Sequence, residues 1–261
     1  MCDKCSDTLH HQSLRQASLR QDIAPSRRSA MLFGAAAFGM TFAGGAFASG
    51  ALAKDAKQPP KPQNVLSPDA SLKRLMEGNG RYVAGVSRRH DFKHEREALA
   101  GGQNPFAAVL SCADSRIAPE YAFDAGRGDL FVCRVAGNFA GTETIASMEY
   151  AVAVLNTPLI LVLGHDACGA VDATLKAIKD NTSPPGHIPS LVDAIAPAAK
   201  AAMQQGGDVL NKAIRQNVVD NIAKLKTAAP ILNAAAEQGK LKVVGGIYRL
   251  TTGTVDLIAQ G

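Results

Sequence analysis

Four short apolar segments, separated by helical patterns, constrain the fold of this chain more than any other feature. Each contains β-branched or aromatic residues; they are residues 105–111, 129–135, 158–164 and 241–250. Other stretches repeat apolar residues every three or four positions, as amphipathic helices do; these are residues 142–156, 170–180 and 208–226. Strands that alternate with helices predict an α/β fold in which a central, mostly parallel β-sheet is flanked by helices.

The segment SPDASLKRLMEGNGRYVAG predicts a further amphipathic helix ahead of the first strand. Ser67 or Asp69 is suited to cap its amino end, and Gly85 to end it. The glycines of Gly78-Asn79-Gly80 predict a loose middle. After this helix, residues 88–97 predict a charged surface segment.

The first 53 residues predict an export signal. A polar leader ends at Arg27-Arg28, and no charged residue occurs from Ser29 to Ala53, a stretch rich in alanine and glycine. This order is typical of secretory signals, and the paired arginines resemble those of a twin-arginine (Tat) signal. We expect cleavage after Ala53 or Ala48 and export to a bacterial periplasm, without a stable membrane partner. The alternative is an uncleaved membrane anchor, for which the run is long enough.

The rest of the chain is interpreted as a linker, residues 54–64, followed by one domain, residues 65–261. Cleavage would leave three cysteines, namely Cys112, Cys133 and Cys168. An odd number in an exported protein argues against a disulfide framework and favours a metal or catalytic role. The net charge is only +5, and no Lys/Arg run is interleaved with aromatic residues. We therefore expect no nucleic-acid partner.

Two of the predicted strands are followed by residues that bind metals. Cys112 follows the first strand, and His165 and Cys168 follow the third. Sites in parallel sheets lie at the carboxyl ends of the strands, so these side chains would meet if the two strands are neighbours. Two cysteines and a histidine suit zinc and leave a fourth position open. Taken one at a time, each residue is equally consistent with an ordinary core position.

The motifs CADSR and GHDACGA, about fifty residues apart, resemble the β-class carbonic anhydrases, whose signature is C-x-D-x-R followed by H-x-x-C-G. The resemblance extends along most of residues 65–261. Further matching segments are LMEGNGRYVAG, GDLFVCRVAGN, TIASMEYAV, IRQNVVDNI and GGIYRLTTGTV.

This resemblance implies the β-carbonic anhydrase fold, the reversible hydration of carbon dioxide, and one Zn²⁺ per chain. The family's ligands correspond to Cys112, His165 and Cys168, and its Asp–Arg dyad to Asp114 and Arg116. Zinc lowers the pKa of a bound water to about 7. Asp114 would orient the resulting hydroxide, and Arg116 would keep that carboxylate ionised.

The resemblance also implies a substrate site and an oligomer. By this resemblance, Gln103 and the amide of Gly169 would contact substrate oxygens, and Phe131, Ala136 and Tyr150 would form an apolar wall. Part of that wall would come from a partner subunit, because the family's active site lies at a dimer interface. We thus expect a homodimer or a higher even oligomer, with the N-terminal helix packed on the partner.

Val109 occupies a position that is tryptophan in family members with a regulatory bicarbonate pocket, which implies an open zinc position here. Three other functions remain as alternatives. One is a carbon disulfide or carbonyl sulfide hydrolase on the same fold, since fold does not fix substrate. Another is a catalytically silent zinc-binding module. The last is a nucleotide-binding module. The sequence lacks the G-x-G-x-x-G motif that would support this alternative.

Overall fold

The computed structural model describes residues 65–258. The predicted export signal, residues 1–53, and the predicted linker, residues 54–64, therefore lie outside the described residues. Within the described part, no helix has the length and apolar character that a membrane crossing requires.

The described part contains a five-stranded sheet in the order β2-β1-β3-β4-β5. Its strands are β1 (Ala107–Ser111), β2 (Leu130–Arg134), β3 (Leu159–His165), β4 (Lys242–Tyr248) and β5 (Val255–Ile258). The first four are mutually parallel, and only β5 runs antiparallel to its neighbour. The prediction of a mostly parallel sheet is confirmed, and the short edge strand β5 was not predicted.

Eight helices flank this sheet within the described residues. They are α1 (Pro68–Val83), α2 (Phe92–Leu99), α3 (Pro119–Ala122), α4 (Thr142–Ala153), α5 (Gly169–Lys179), α6 (Pro189–Gln205), α7 (Val209–Lys226) and α8 (Leu232–Glu237). The periodic stretches of the sequence are α4, α5 and α7. The helix α6, which contains Pro197, was not predicted, and the predicted charged segment, residues 88–97, overlaps most of α2.

Successive residues of the strands face opposite sides of the sheet and build two cores. Leu110 and Ile160 belong to the core beneath α4 to α8, whereas Val109 and Leu161 belong to the core beneath α1 and α3. Because both faces are covered, the central strands β1 and β3 are apolar at nearly every position.

The helix α1 begins at the Ser67 cap as predicted, but the prediction of a loose middle is wrong. A Cβ atom at Gly78 would collide with the carbonyl oxygen of Phe123, so this glycine allows a close approach of two backbones. Asn79 is 4% exposed and donates hydrogen bonds to the carbonyls of Ala122 and Gly253 at 2.9 and 2.8 Å. The middle of α1 is therefore its most tightly held part.

The buried face of α1 packs on its own subunit, with Leu75 fully buried in the core. In contrast, α2 buries none of its residues, and Phe92 at its start is 62% exposed. The contact of an N-terminal helix with a partner subunit stays a prediction. The exposed helix α2 is better suited to such a contact than the face of α1 that is already buried in its own subunit.

Candidate metal centre

The strand order brings the three predicted metal ligands together. The strands β1 and β3 are parallel neighbours, with Ser111 paired to Leu163. Cys112 therefore leaves β1 beside His165, the last residue of β3, and Cys168 follows as the cap of α5. The ligand atoms of all three lie within 4.8 Å of one another, and all three residues are buried. Within residues 65–258, this is the one such cluster found.

The histidine of this cluster is prepared to bind a metal. Its Nδ1 atom lies 2.8 Å from the carbonyl oxygen of Asp166. Because a carbonyl only accepts hydrogen bonds, Nδ1 carries the proton and Nε2 presents a bare lone pair. This Nε2 atom is buried and has no hydrogen-bond partner. A buried acceptor without a partner, facing two cysteines, fits a zinc ligand.

The two thiols of the cluster differ in acidity. The pKa of Cys112 is lowered to about 4, chiefly by the hydrogen bond with the Cys168 thiol, and its sulfur also accepts from the Gly137 amide at 3.3 Å. The same contact with Cys112, together with burial, raises the pKa of Cys168. The contact between the two sulfurs therefore favours the thiolate form of Cys112 and the protonated form of Cys168, and a metal bound by both sulfurs would displace that proton.

The Asp114–Arg116 pair lies directly beside this cluster. Asp114 Oδ2 is 3.9 Å from His165 Nε2. The guanidinium of Arg116 donates to both carboxylate oxygens at 2.9 and 2.7 Å, and its backbone amide donates at 2.9 Å. These bonds hold the pKa of Asp114 well below its usual range. The carboxylate is therefore ionised and oriented next to the metal ligands.

A second arginine, not identified from the sequence as functional, holds the loop that carries this pair. Arg134, the last residue of β2, donates to the carbonyl oxygens of Cys112 and Asp114 at 3.0 and 2.7 Å. It reaches them because it is paired in register with Ser111. The only signal of this role in the sequence is an arginine at the end of a predicted strand. That signal can be interpreted only when β1 and β2 are known to be neighbours.

Comparison with known proteins identifies the family to which this chain belongs. A family model described as carbonic anhydrase matches residues 107–255, more than half of the chain. The chain belongs to the carbonic anhydrase family. Carbonic anhydrase 2 of Mycobacterium tuberculosis is 41% identical over 188 residues, covering 72% of this chain and 91% of the relative. The carbonic anhydrase of Mycolicibacterium smegmatis is 38% identical over 192 residues, covering 73% and 93%.

The solved structures identify the class. A tetrameric β-carbonic anhydrase of Sordaria macrospora superimposes with a TM-score of 0.59 at 26% identity, over 73% of this chain and 98% of that one. The β-carbonic anhydrase CcaA superimposes with a TM-score of 0.57 at 28% identity. The protein is therefore a β-class carbonic anhydrase, a carbonate dehydratase.

This β-carbonic anhydrase places only part of its predicted substrate site near the metal ligands of the same chain. Ala136 precedes Gly137, whose amide contacts Cys112, and Gly169 opens α5 next to Cys168. A Cβ atom at Gly169 would meet no atom within 4 Å, so there is open space beside the α-carbon of this residue.

The other predicted substrate residues lie away from this cluster. The rings of Phe131 and Tyr150 are paired at 6.4 Å, but Phe131 is level with Ala108, four residues before Cys112 along β1. Gln103 is exposed in the segment that precedes β1, at the opposite end of that strand from Cys112. A single chain does not bring these side chains to its own metal ligands.

Proposed function

We propose that this protein catalyses the reversible hydration of carbon dioxide to bicarbonate and a proton at a zinc ion held by Cys112, His165 and Cys168. The observation that carries the proposal is the bare, buried Nε2 of His165, which faces two cysteine sulfurs beside an arginine-bound carboxylate. Most buried polar side-chain atoms have a hydrogen-bond partner, so a partnerless ring nitrogen that faces two sulfurs fits a metal ligand better than an ordinary core position.

Zinc, when bound, lowers the pKa of a coordinated water to about 7 and so supplies hydroxide at neutral pH. The chain's own residues then orient the reaction. Asp114 would accept a hydrogen bond from the nucleophile and so orient its lone pair toward the carbon of carbon dioxide. Arg116 keeps Asp114 ionised and fixes its rotation by holding both carboxylate oxygens.

The product side of the site requires hydrogen-bond donors. The amide of Gly169 opens the 11-residue helix α5, whose amino end favours negative charge. We infer that this amide contacts an oxygen of bicarbonate.

A homodimer or a higher even oligomer would complete the substrate pocket. Gln103, Phe131 and Tyr150 lie away from the metal ligands of their own chain, and Tyr150 is 48% exposed. We infer that these side chains serve the site of an adjacent subunit, with Ala136 contributed by the chain that holds the zinc. The tetrameric state of the Sordaria macrospora relatives supports such an assembly.

Stopped-flow measurement of carbon dioxide hydration tests this function. Zinc-loaded full-length protein would be assayed over about pH 6.5 to 9, next to a chain that begins at Lys54. Turnover across this range supports the proposal together with an open zinc position. Turnover only at the alkaline end would support the carbonic anhydrase activity but contradict the prediction of an open zinc position. If the zinc-bound protein does not hydrate carbon dioxide at any pH, the proposed function is wrong. If that protein instead hydrolyses carbon disulfide or carbonyl sulfide, the sulfur-substrate alternative is established.

We also propose that residues 1–53 direct export to the periplasm by a Tat-type pathway. The support is the order of the polar leader, Arg27-Arg28 and the uncharged run that follows. Mass spectrometry of the exported protein is expected to find an amino terminus near Lys54. Exported protein that retains residues 1–53 would instead establish a membrane anchor. Replacing Arg27-Arg28 by two lysines is expected to abolish export.

A further inference from the structure

Two buried asparagines on α7 are left unexplained by the proposed chemistry. Asn217 and Asn221 lie one helical turn apart and are 1% and 6% exposed. An amide side chain removed from water is unfavourable in a core unless hydrogen bonds replace those lost to water. The partners of these two amides therefore indicate why polar residues occupy this position.

The two asparagines bind each other and then the loop that follows β2. Nδ2 of Asn221 donates to the backbone carbonyl and the side-chain oxygen of Asn217, at 2.7 and 3.2 Å. The amide of Asn217, oriented in this way, donates to the carbonyl of Gly137 at 2.8 Å. Oδ1 of Asn221 accepts from the backbone amide of Ala140 at 2.7 Å. Both ends of loop 137–140 are thus fixed to α7.

The same loop supplies a hydrogen bond to the metal centre. The backbone amide of Gly137 donates to the sulfur of Cys112 at 3.3 Å. Gly137 has φ +84°, and a Cβ atom there would collide with the side chain of Ile195 on α6. The position of this amide is therefore determined by close packing on one side and by Asn217 on the other. A hydrogen bond to a thiolate fixes the sulfur and reduces the charge that it donates to a metal.

We propose that Asn217 and Asn221 are positioning residues of the metal centre, which hold the Gly137 amide on the sulfur of Cys112 and thereby control how tightly the metal is retained. This inference rests on the proposed function, because it takes Cys112 as a zinc ligand. Loss of a hydrogen-bond partner behind a metal ligand typically changes metal affinity about 10- to 100-fold.

The test compares three variants of the full-length, zinc-loaded protein. Asn217→Leu and Asn221→Leu remove the bonds to the loop at similar side-chain volume. Gln216→Leu is the matched control, because this neighbouring amide bonds Asp220 on the same helix instead. The rate of zinc release to a chelator is expected to rise about 10-fold or more in the two asparagine variants and to stay unchanged in the control.

Two further measurements separate positioning from general stability. In the cobalt(II)-substituted protein, the sulfur-to-cobalt absorption is expected to change in the asparagine variants. Thermal unfolding would be compared with and without metal. An equal loss of stability in both forms, with unchanged metal release and unchanged absorption, would overturn the inference.

A variant that fails to fold is replaced by Asn221→Asp. This change keeps an oxygen for the Ala140 amide and removes the donor that orients Asn217. Faster zinc release is expected here too, and wild-type release would overturn the inference. Wild-type protein that binds no zinc or hydrates no carbon dioxide would reject the proposed function itself. An active wild type with asparagine variants that release zinc normally would reject this inference alone.

Discussion

Arg116 donates hydrogen bonds to both carboxylate oxygens of Asp114, at 2.9 and 2.7 Å, and so fixes the rotation of the acid beside the metal ligands. The arginine side chain is 53% exposed and the aspartate side chain 15%. An ion pair that is half in water adds little to stability. The contribution of this pair is instead the orientation and the charge of the acid.

Replacing Asp114 by asparagine is expected to leave zinc binding intact and to lower the hydration rate by about 100-fold or more, because the attacking hydroxide loses its acceptor. Metal analysis of the purified variant and stopped-flow kinetics would be carried out on the same sample. Near-normal turnover in a zinc-replete variant would contradict the role of Asp114.

Replacing Arg116 by glutamine is expected to make the rate fall more steeply at acid pH. Arg116 is the main cause of the lowered pKa of Asp114, and burial acts in the opposite direction. A lowered pKa means that the ionised, active form persists as pH falls; without the arginine, the pKa moves up toward or above its ordinary value of about 3.9. The kcat/KM profile would be measured from about pH 4 to 8, with Arg215→Gln on α7 as control. A uniform loss at every pH would contradict this explanation.

Replacing Arg134 by lysine is expected to lower kcat/KM about 10-fold and to speed zinc release, although the charge is kept. The guanidinium donates from two nitrogens to the carbonyls of Cys112 and Asp114, and a lysine ammonium cannot reproduce that fork. Stopped-flow assays and chelator competition would measure the two effects. Wild-type values for both would show that the loop keeps its position without this arginine.

The two glycines in the middle of α1 are expected to respond in opposite directions to the same change. Gly78→Ala would force apart α1 and Phe123 and lower the free energy of unfolding by about 1–3 kcal/mol. Gly80→Ala meets no atom within 4 Å and would raise it by about 0.5–1 kcal/mol through better helix propensity. Denaturant unfolding of both variants is the measurement. Equal effects of one sign would contradict the close packing at Gly78.

Much of the site could be predicted because its signals are local in the sequence. Cys112, Asp114 and Arg116 fall within five consecutive positions after one strand, and His165 and Cys168 lie three positions apart at the end of another. Their meeting point required only the assumption that the two strands are neighbours. Their roles in catalysis stay predictions until the variants above are measured.

The remaining features depend on contacts that no local pattern records. Arg134 matters because β2 lies next to β1, and Asn217 because α7 packs beneath the loop after β2. In α1, the pattern of two glycines indicated flexibility, whereas the structure uses the missing Cβ of Gly78 for contact with another backbone. The helix α6 was missed because Pro197 interrupts a stretch rich in alanine.

The cluster of Cys112, His165 and Cys168 joins two strand ends that are about fifty residues apart in the chain. An unfolded chain cannot present these three atoms together, so metal affinity and folding are coupled by mass action. Each tenfold increase in free zinc above the dissociation constant would add about 1.4 kcal/mol to the stability of the folded state. The melting temperature of this protein would therefore report the free zinc concentration around it.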